Sequence, residues 1–188
     1  YLMRLFHVLA PLCAATMMFA ASGTFLNKNA PLYAEASEGS ALGELIIASE
    51  VKELSQKGSF SEVEFVGFVP EGSSVVYEKA GMLIIGFEAS NPAALKVLGK
   101  KTDEYGSVWI NVSVKGFVKS DALNSDKNKV LADGKTLFQA KCSTCHALHP
   151  ETEFDANVWP SILEAMGAQA GLSKPEKQSI EKYLQNYK

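Results

Sequence analysis

The sequence predicts an α+β protein of two domains, a small β-barrel followed by an all-α domain. Residues 44–123 contain short segments in which apolar and polar residues alternate, such as "EVEFVGFV" at 62–69, separated by glycine-bearing turns. From residue 130 onward, apolar residues recur at intervals of three or four, the period of an amphipathic helix. The change of period near residue 125 predicts the boundary between the two domains.

The β part is predicted to hold five or six strands. In the segment at 62–69, Val63 and Phe65 are expected to face a core. The segment "SVWINVSVKGFVK" at 107–119 alternates in the same way, and Lys115-Gly116 is expected to turn the chain back into 117–119. Residues 88–101 are expected to form a helical or loop insertion. Short strands joined by tight turns are typical of a small barrel.

Residues 1–34 are predicted to be a leader. Arg4 is followed by an uncharged apolar stretch through Leu26, which fits an export signal and is also long enough for an uncleaved membrane anchor. Both alternatives place the rest of the chain in an exported compartment, and we expect a bacterial periplasm. A formal net charge of −3 without a basic run gives no electrostatic case for nucleic-acid binding.

Three helices are predicted in residues 130–188. The first carries one stripe at four-residue steps, formed by Gly134, Phe138 and Cys142. The second spans about 158–166. The third begins with a capping box, because Ser173 is followed three positions later by Glu176. The inner face of the third helix is expected to contain Ile180, Tyr183, Leu184 and Tyr187.

The segment "AKCSTCHALHP" at 140–150 holds the main chemical signal. A zinc site would need four ligands, and beyond Cys142, Cys145 and His146 only His149 lies nearby. A dithiol oxidoreductase would need strands after the motif, where helices are predicted. The Cys-x-x-Cys-His spacing is that of c-type haem attachment: both thiols add to vinyl groups and the histidine becomes the fifth iron ligand. We therefore predict one covalent haem c.

Met166 is predicted to be the sixth ligand, because it is the only sulfur donor after the motif. Phe138 and Trp159 are expected to wall the haem. A thioether ligand fills the iron and leaves no substrate position, so the expected role is electron transfer and not catalysis. If Met166 is only a core residue, an open-site haem sensor or enzyme becomes the alternative. The sequence contains no visible acid–base pair or nucleophile.

Two parts of the chain resemble known families. The phrase "VWINVSVKGFVKSDAL" at 108–123 resembles the end of bacterial SH3-like domains, and residues 130–188 resemble class I cytochrome c domains. The predicted fold class is thus an SH3-like β-barrel over 44–123 followed by an all-α class I cytochrome c domain over 130–188.

The order of these parts, with "NVWP" at 157–160 and Met166, resembles the C-terminal portion of the pentahaem cytochromes that serve periplasmic trimethylamine N-oxide reductases, and their monohaem relatives. This resemblance implies a molybdoenzyme partner that reduces trimethylamine N-oxide or dimethyl sulfoxide, and an upstream quinol-oxidising donor. Two alternatives remain open: a haem subunit of a sulfite-oxidising enzyme, and a binding module in which the SH3-like part recruits a partner.

Overall fold

The computed structural model describes residues 23–187, which form ten strands and three helices. The strands, in chain order, are β1 (Thr24–Leu26), β2 (Ala30–Tyr33), β3 (Ala41–Leu45), β4 (Glu50–Lys57), β5 (Phe60–Pro70), β6 (Val75–Lys79), β7 (Met82–Ala89), β8 (Lys96–Thr102), β9 (Val108–Lys119) and β10 (Leu123–Asn124). The helices are α1 (Lys127–Cys142), α2 (Trp159–Gly167) and α3 (Lys174–Gln185). No helix among residues 23–187 is long and apolar enough to cross a membrane.

All ten strands belong to one antiparallel sheet, in the order β10-β1-β4-β5-β6-β7-β3-β2-β9-β8. The two longest strands, β5 and β9, also pair with each other along their whole length, from Phe60 opposite Lys119 to Pro70 opposite Trp109. This extra pairing joins strands that are not neighbours in the order and curls the sheet around its core. The alternation predicted for β5 is confirmed, because Val63 and Phe65 are buried in that core.

The turn predicted at Lys115-Gly116 is wrong. Strand β9 runs through this point without interruption, and Gly116 pairs with Val63 of β5. The glycine is there because β2 crosses close above it: a Cβ atom at Gly116 would lie 2.4 Å from the carbonyl oxygen of Tyr33. The insertion expected at 88–101 is likewise mostly strand, since β8 follows a single 3-10 turn at Pro92–Ala94.

The predicted fold class is also wrong. The described residues are mainly one ten-stranded antiparallel sheet with three helices, not a small SH3-like barrel joined to an all-α class I cytochrome c domain. The helical part does not stand alone, because its third helix is buried against the sheet. Moreover, β1 and β2 lie inside the segment 1–34 that was assigned to a leader, and residues 1–22 of that segment lie outside the described residues.

Helix α3 is buried on both of its faces. One face packs on α1 and α2 through Ile180, Tyr183 and Leu184, as its periodicity predicted. The prediction for Tyr187 is wrong, because this residue lies beyond the end of α3 and is 43% exposed. The opposite face is polar yet also buried, and it consists of Gln178, Ser179, Glu181, Lys182 and Gln185. A helix that is buried all round lies inside a protein and not on its surface. The sheet therefore supplies one wall for α3, and the other helices supply the second.

Polar side chains join α3 to the sheet. The Lys182 ammonium, with 3% of its side chain exposed, forms an ion pair with Glu78 of β6 and donates a hydrogen bond to Ser49 (3.1 Å). Gln185 Nε2 donates to the carbonyl oxygen of Leu83 in β7 (3.0 Å), and Gln178 Oε1 accepts from Asn29 (2.5 Å). These bonds fix the position of α3 along the sheet, because each buried polar group has to keep its partner.

Candidate haem site

The two cysteines lie where α1 ends. Cys142 is the last residue of the helix, and Cys145 and His146 follow in an exposed turn. The residues between the cysteines stabilise this end, because Ser143 Oγ donates to the carbonyl oxygen of Gln139 (2.7 Å) and Thr144 Oγ1 to that of Lys141 (2.8 Å). The helix ends without a glycine because these hydroxyls satisfy carbonyl groups of its last turn.

One cavity brings together all six residues that the sequence predicted for the cofactor. It lies between α1, α2 and the turn after α1, and its volume is about 70 Å³. The cavity is mostly apolar, as cofactor pockets are, but it is smaller than the ~300–1,000 Å³ that such pockets usually have. The predicted residues that line it are Phe138, Cys142, Cys145, His146, Trp159 and Met166. Ile162, Leu163 and Leu172 add further apolar lining.

His146 is oriented by the backbone of the next residue. Its Nδ1 lies 2.7 Å from the carbonyl oxygen of Ala147, and because a carbonyl only accepts, Nδ1 carries the proton. The neutral ring then has its lone pair on Nε2. Metal-bound histidines in proteins almost always donate their other ring N–H in this way. The arrangement therefore suits a histidine that binds iron through Nε2.

His149 lies beside His146 at the candidate haem site. Its ring packs edge-on against His146, with 5.2 Å between the ring centroids, and it lines the same cavity. Its Nδ1 bonds the carboxylate of Glu153 at 2.8 Å. Because it lies beside His146, it is not placed to approach the iron from the opposite side.

Trp159 carries an unusual buried donor. The residue is 1% exposed, its ring packs against Phe154 and Phe138, and its Nε1–H has no hydrogen-bond partner among the described residues. A buried donor without a partner costs about 1–3 kcal/mol. A cofactor with an acceptor group near this indole would remove that cost. The carboxylates of a haem are such acceptors, so this atom fits the predicted cofactor.

Met166 lies on α2, in line with two buried residues of the same helix, Trp159 and Leu163. It is 37% exposed, whereas those two are 1% and 3% exposed. A methionine that served only to fill the core would be expected to be covered as they are. Its exposure on the cavity wall agrees with the predicted ligand role, which remains a prediction.

The alternatives to haem are weakened by the site itself. Burial raises the pKa of the Cys142 thiol, whereas dithiol oxidoreductases need a cysteine with a lowered pKa. Only helices follow the motif within residues 146–187. No group of three or more His, Cys, Asp or Glu side chains that could hold a metal ion is present in the described part of the chain.

Helix α1 places the motif through a close contact with α3. A Cβ atom at Gly134 would lie 2.3 Å from the carbonyl oxygen of Ser179, so the two helices can approach this closely only at a glycine. One turn later, Phe138 contacts Trp159 and Tyr183. The position of Cys142 at the cavity therefore depends on α3, which the sheet holds.

Comparison with known proteins identifies the family. The profile of the family described as "TorC third cytochrome c domain" matches residues 20–123. The chain belongs to this family. As a cytochrome c family, it implies a covalently bound haem c. The matched residues form most of the sheet and contain no cysteine, so this profile does not itself cover the haem attachment motif.

The curated relatives are longer proteins. The chain is 27% identical over 160 residues to the cytochrome c-type protein TorC of Escherichia coli K12, an alignment that covers 82% of this chain and 41% of the relative. Coverage of that extent necessarily includes residues 142–146. The cytochrome c-type protein TorY of Escherichia coli O157:H7 is 30% identical over 123 residues, covering 63% of this chain and 33% of TorY. No solved structure matches the chain.

The contact at Gly134 gives a testable prediction. We expect Gly134→Ala to lower the free energy of unfolding by roughly 1–3 kcal/mol in urea titrations, because the added methyl group forces α1 away from α3. Gly39→Ala is the control: a Cβ there meets no atom within 4 Å, so the change should stay within about 0.5 kcal/mol. Stabilisation of Gly134→Ala by ~1 kcal/mol, as at an exposed helical glycine, would contradict the close approach.

Proposed function

We propose that this protein is a periplasmic c-type cytochrome that carries single electrons. The observation that carries the proposal is the convergence of two thiols, an oriented imidazole and a thioether on one apolar cavity. These four groups are the ones that a covalent, six-coordinate haem requires. The relationship to cytochrome c-type proteins supports the same cofactor.

The chain's own residues hold the cofactor. Cys142 and Cys145 would hold the haem through thioether bonds from their thiols. His146 would bind its iron through Nε2 and Met166 through sulfur, and Trp159 Nε1–H would donate a hydrogen bond to a propionate. When bound, the haem supplies an iron that takes up and releases one electron. Phe138 and Leu163, both 3% exposed, exclude water from the inner wall of the cavity.

The electron partner follows from the family. Relatives named TorC and TorY, and the resemblance to cytochromes of trimethylamine N-oxide reduction, support a periplasmic molybdoenzyme as electron acceptor. The same resemblance supports a quinol-oxidising donor upstream of this haem, and the aligned part of the chain spans 41% of the TorC sequence. With His146 and Met166 as iron ligands, the haem would exchange electrons without binding the substrate of the partner.

Covalent attachment is the first expected outcome. Protein matured in a periplasm should give one haem c per chain in a pyridine haemochrome assay and keep its colour through acid–acetone extraction. Cys142→Ala/Cys145→Ala should lose this colour, whereas Cys13→Ala should keep it. Extraction of the haem from the unmodified protein into the solvent would refute attachment at these cysteines.

The second expected outcome concerns Met166. Met166→Ala should lower the reduction potential, because a thioether ligand favours the ferrous state, and should allow carbon monoxide to bind the ferrous protein. Redox titration and the absorption spectrum under carbon monoxide measure both effects.

His149→Ala is the matched control, since this residue lines the same cavity. It should leave carbon monoxide binding absent. If the unmodified ferrous protein binds carbon monoxide readily, Met166 is not a ligand, and an open-site haem sensor or enzyme becomes the better function.

A further inference from the structure

Exposed apolar side chains concentrate in one hairpin. Among the described residues, ten large apolar side chains are more than a third exposed, and four of them lie on β8, on β9 or in the turn between them. These four are Val97 (62%), Leu98 (48%), Tyr105 (82%) and Val108 (47%). Single exposed apolar residues are ordinary, but a cluster within twelve positions of one hairpin marks a candidate interaction surface.

The turn that presents Tyr105 is rigid. Asp103 Oδ1 accepts from the backbone N–H groups of Tyr105 (3.0 Å) and Ser107 (2.8 Å), and Asp103 Oδ2 accepts from Trp109 Nε1 (2.8 Å). These hydrogen bonds hold the pKa of the Asp103 carboxyl below its usual range, and the bond from Trp109 has the largest effect. A preorganised turn loses little conformational entropy when a partner binds, and an exposed tyrosine is a common anchor of protein interfaces.

Strand β8 is locally cationic. It carries Lys96, Lys100 and Lys101 and no acidic residue, whereas the turn that follows adds Asp103 and Glu104. None of the three lysines forms a salt bridge within the described range, and the Lys101 ammonium lies over the ring of Phe68, 5.9 Å from its centroid. The surface therefore complements an acidic protein surface with an apolar centre.

Strand addition is not the mode of contact that this edge favours. Strand β8 pairs only with β9, but its register shifts between Val97 and Gly99, and lysines line it. Bulges and lysines are the features with which edge strands avoid pairing with another strand. A partner would therefore contact the side chains of the hairpin and not extend the sheet.

A continuous series of contacts leads from this hairpin to the cavity. Asp103 lies against Gly81 in the β6–β7 turn, where a built Cβ would be 3.5 Å from the Asp103 Cβ. Asn157 donates to the carbonyl oxygen of Gly81 (2.8 Å) and accepts from the N–H of Leu83 (2.7 Å). Trp159 follows Asn157 by two residues and lines the cavity.

We propose that the β8–β9 hairpin is the docking surface for an acidic face of the reductase to which this protein passes electrons. The assignment rests on the function proposed above and adds where the partner binds. Redox pairs bury small areas, often below ~1,200 Å², and rely on charge for fast association. The lysines of β8 provide the charge, and Tyr105 in the adjacent turn provides an apolar anchor.

Stopped-flow kinetics test this surface. The haem-loaded protein is reduced and mixed with purified trimethylamine N-oxide reductase, and the second-order rate constant is measured against salt concentration. Lys100→Glu/Lys101→Glu should lower the constant by about tenfold or more at low salt and weaken its salt dependence. Tyr105→Ser should lower the constant while preserving the salt dependence. Both variants should keep the haem spectrum and reduction potential.

The control is Lys52→Glu/Lys57→Glu, two exposed lysines of β4 that give the same change of charge. Its rate constant should stay within about twofold of that of the unmodified protein, as expected for charges outside the contact. An equal loss in this control, or no loss in Lys100→Glu/Lys101→Glu, would overturn the docking surface while leaving the proposed function intact. Absence of electron transfer from the unmodified, correctly loaded protein would overturn the proposed partner, and this surface with it.

Discussion

The burial of α3 on both faces is the constraint on which the rest of the structure depends. Its apolar face forms the core of the helical part, and its polar face is held by the sheet at Lys182 and Gln185. Helix α1 packs on α3 at Gly134, and this contact sets the position of Cys142 at the cavity. The sheet thus acts on the candidate haem site through α3, with further contacts at Val130 of α1 and at Asn157, without lining the cavity itself.

The ion pair between Lys182 and Glu78 is the most buried of the salt bridges among the described residues. Desolvation lowers the pKa of Lys182, and the Glu78 carboxylate opposes that shift. A buried pair of this kind adds little net stability, but loss of one partner costs about 3–5 kcal/mol because the other charge is left uncompensated. Its main effect is to define where α3 lies, because a displaced helix would break the pair. We infer that the helices are ordered on the sheet before haem is attached.

The sequence predicted what depends on local spacing. The capping box of Ser173 and Glu176 is confirmed, and so is the buried stripe of Gly134 and Phe138. The sequence did not predict the features that depend on contacts between residues far apart in the chain. Charged residues such as Glu181 and Lys182 lie outside the apolar stripe of α3, and only packing against the sheet buries them. The apolar segment that contains β1 has the composition of a leader, so β1 was not predicted as a strand. Strand β4 was not predicted either, because Val51 is its only buried residue and the strand has no apolar alternation.

Hydrogen exchange in the haem-free chain tests this account most directly. In Cys142→Ala/Cys145→Ala, the amides of α3 should be protected to nearly the same extent as those of β5 and β9. Adding Lys182→Met should remove that protection, whereas adding Lys174→Met, which changes a half-exposed lysine of the same helix, should not. If the α3 amides of the haem-free chain exchange as fast as an unfolded peptide while β5 and β9 remain protected, then haem, and not the sheet, orders the helices.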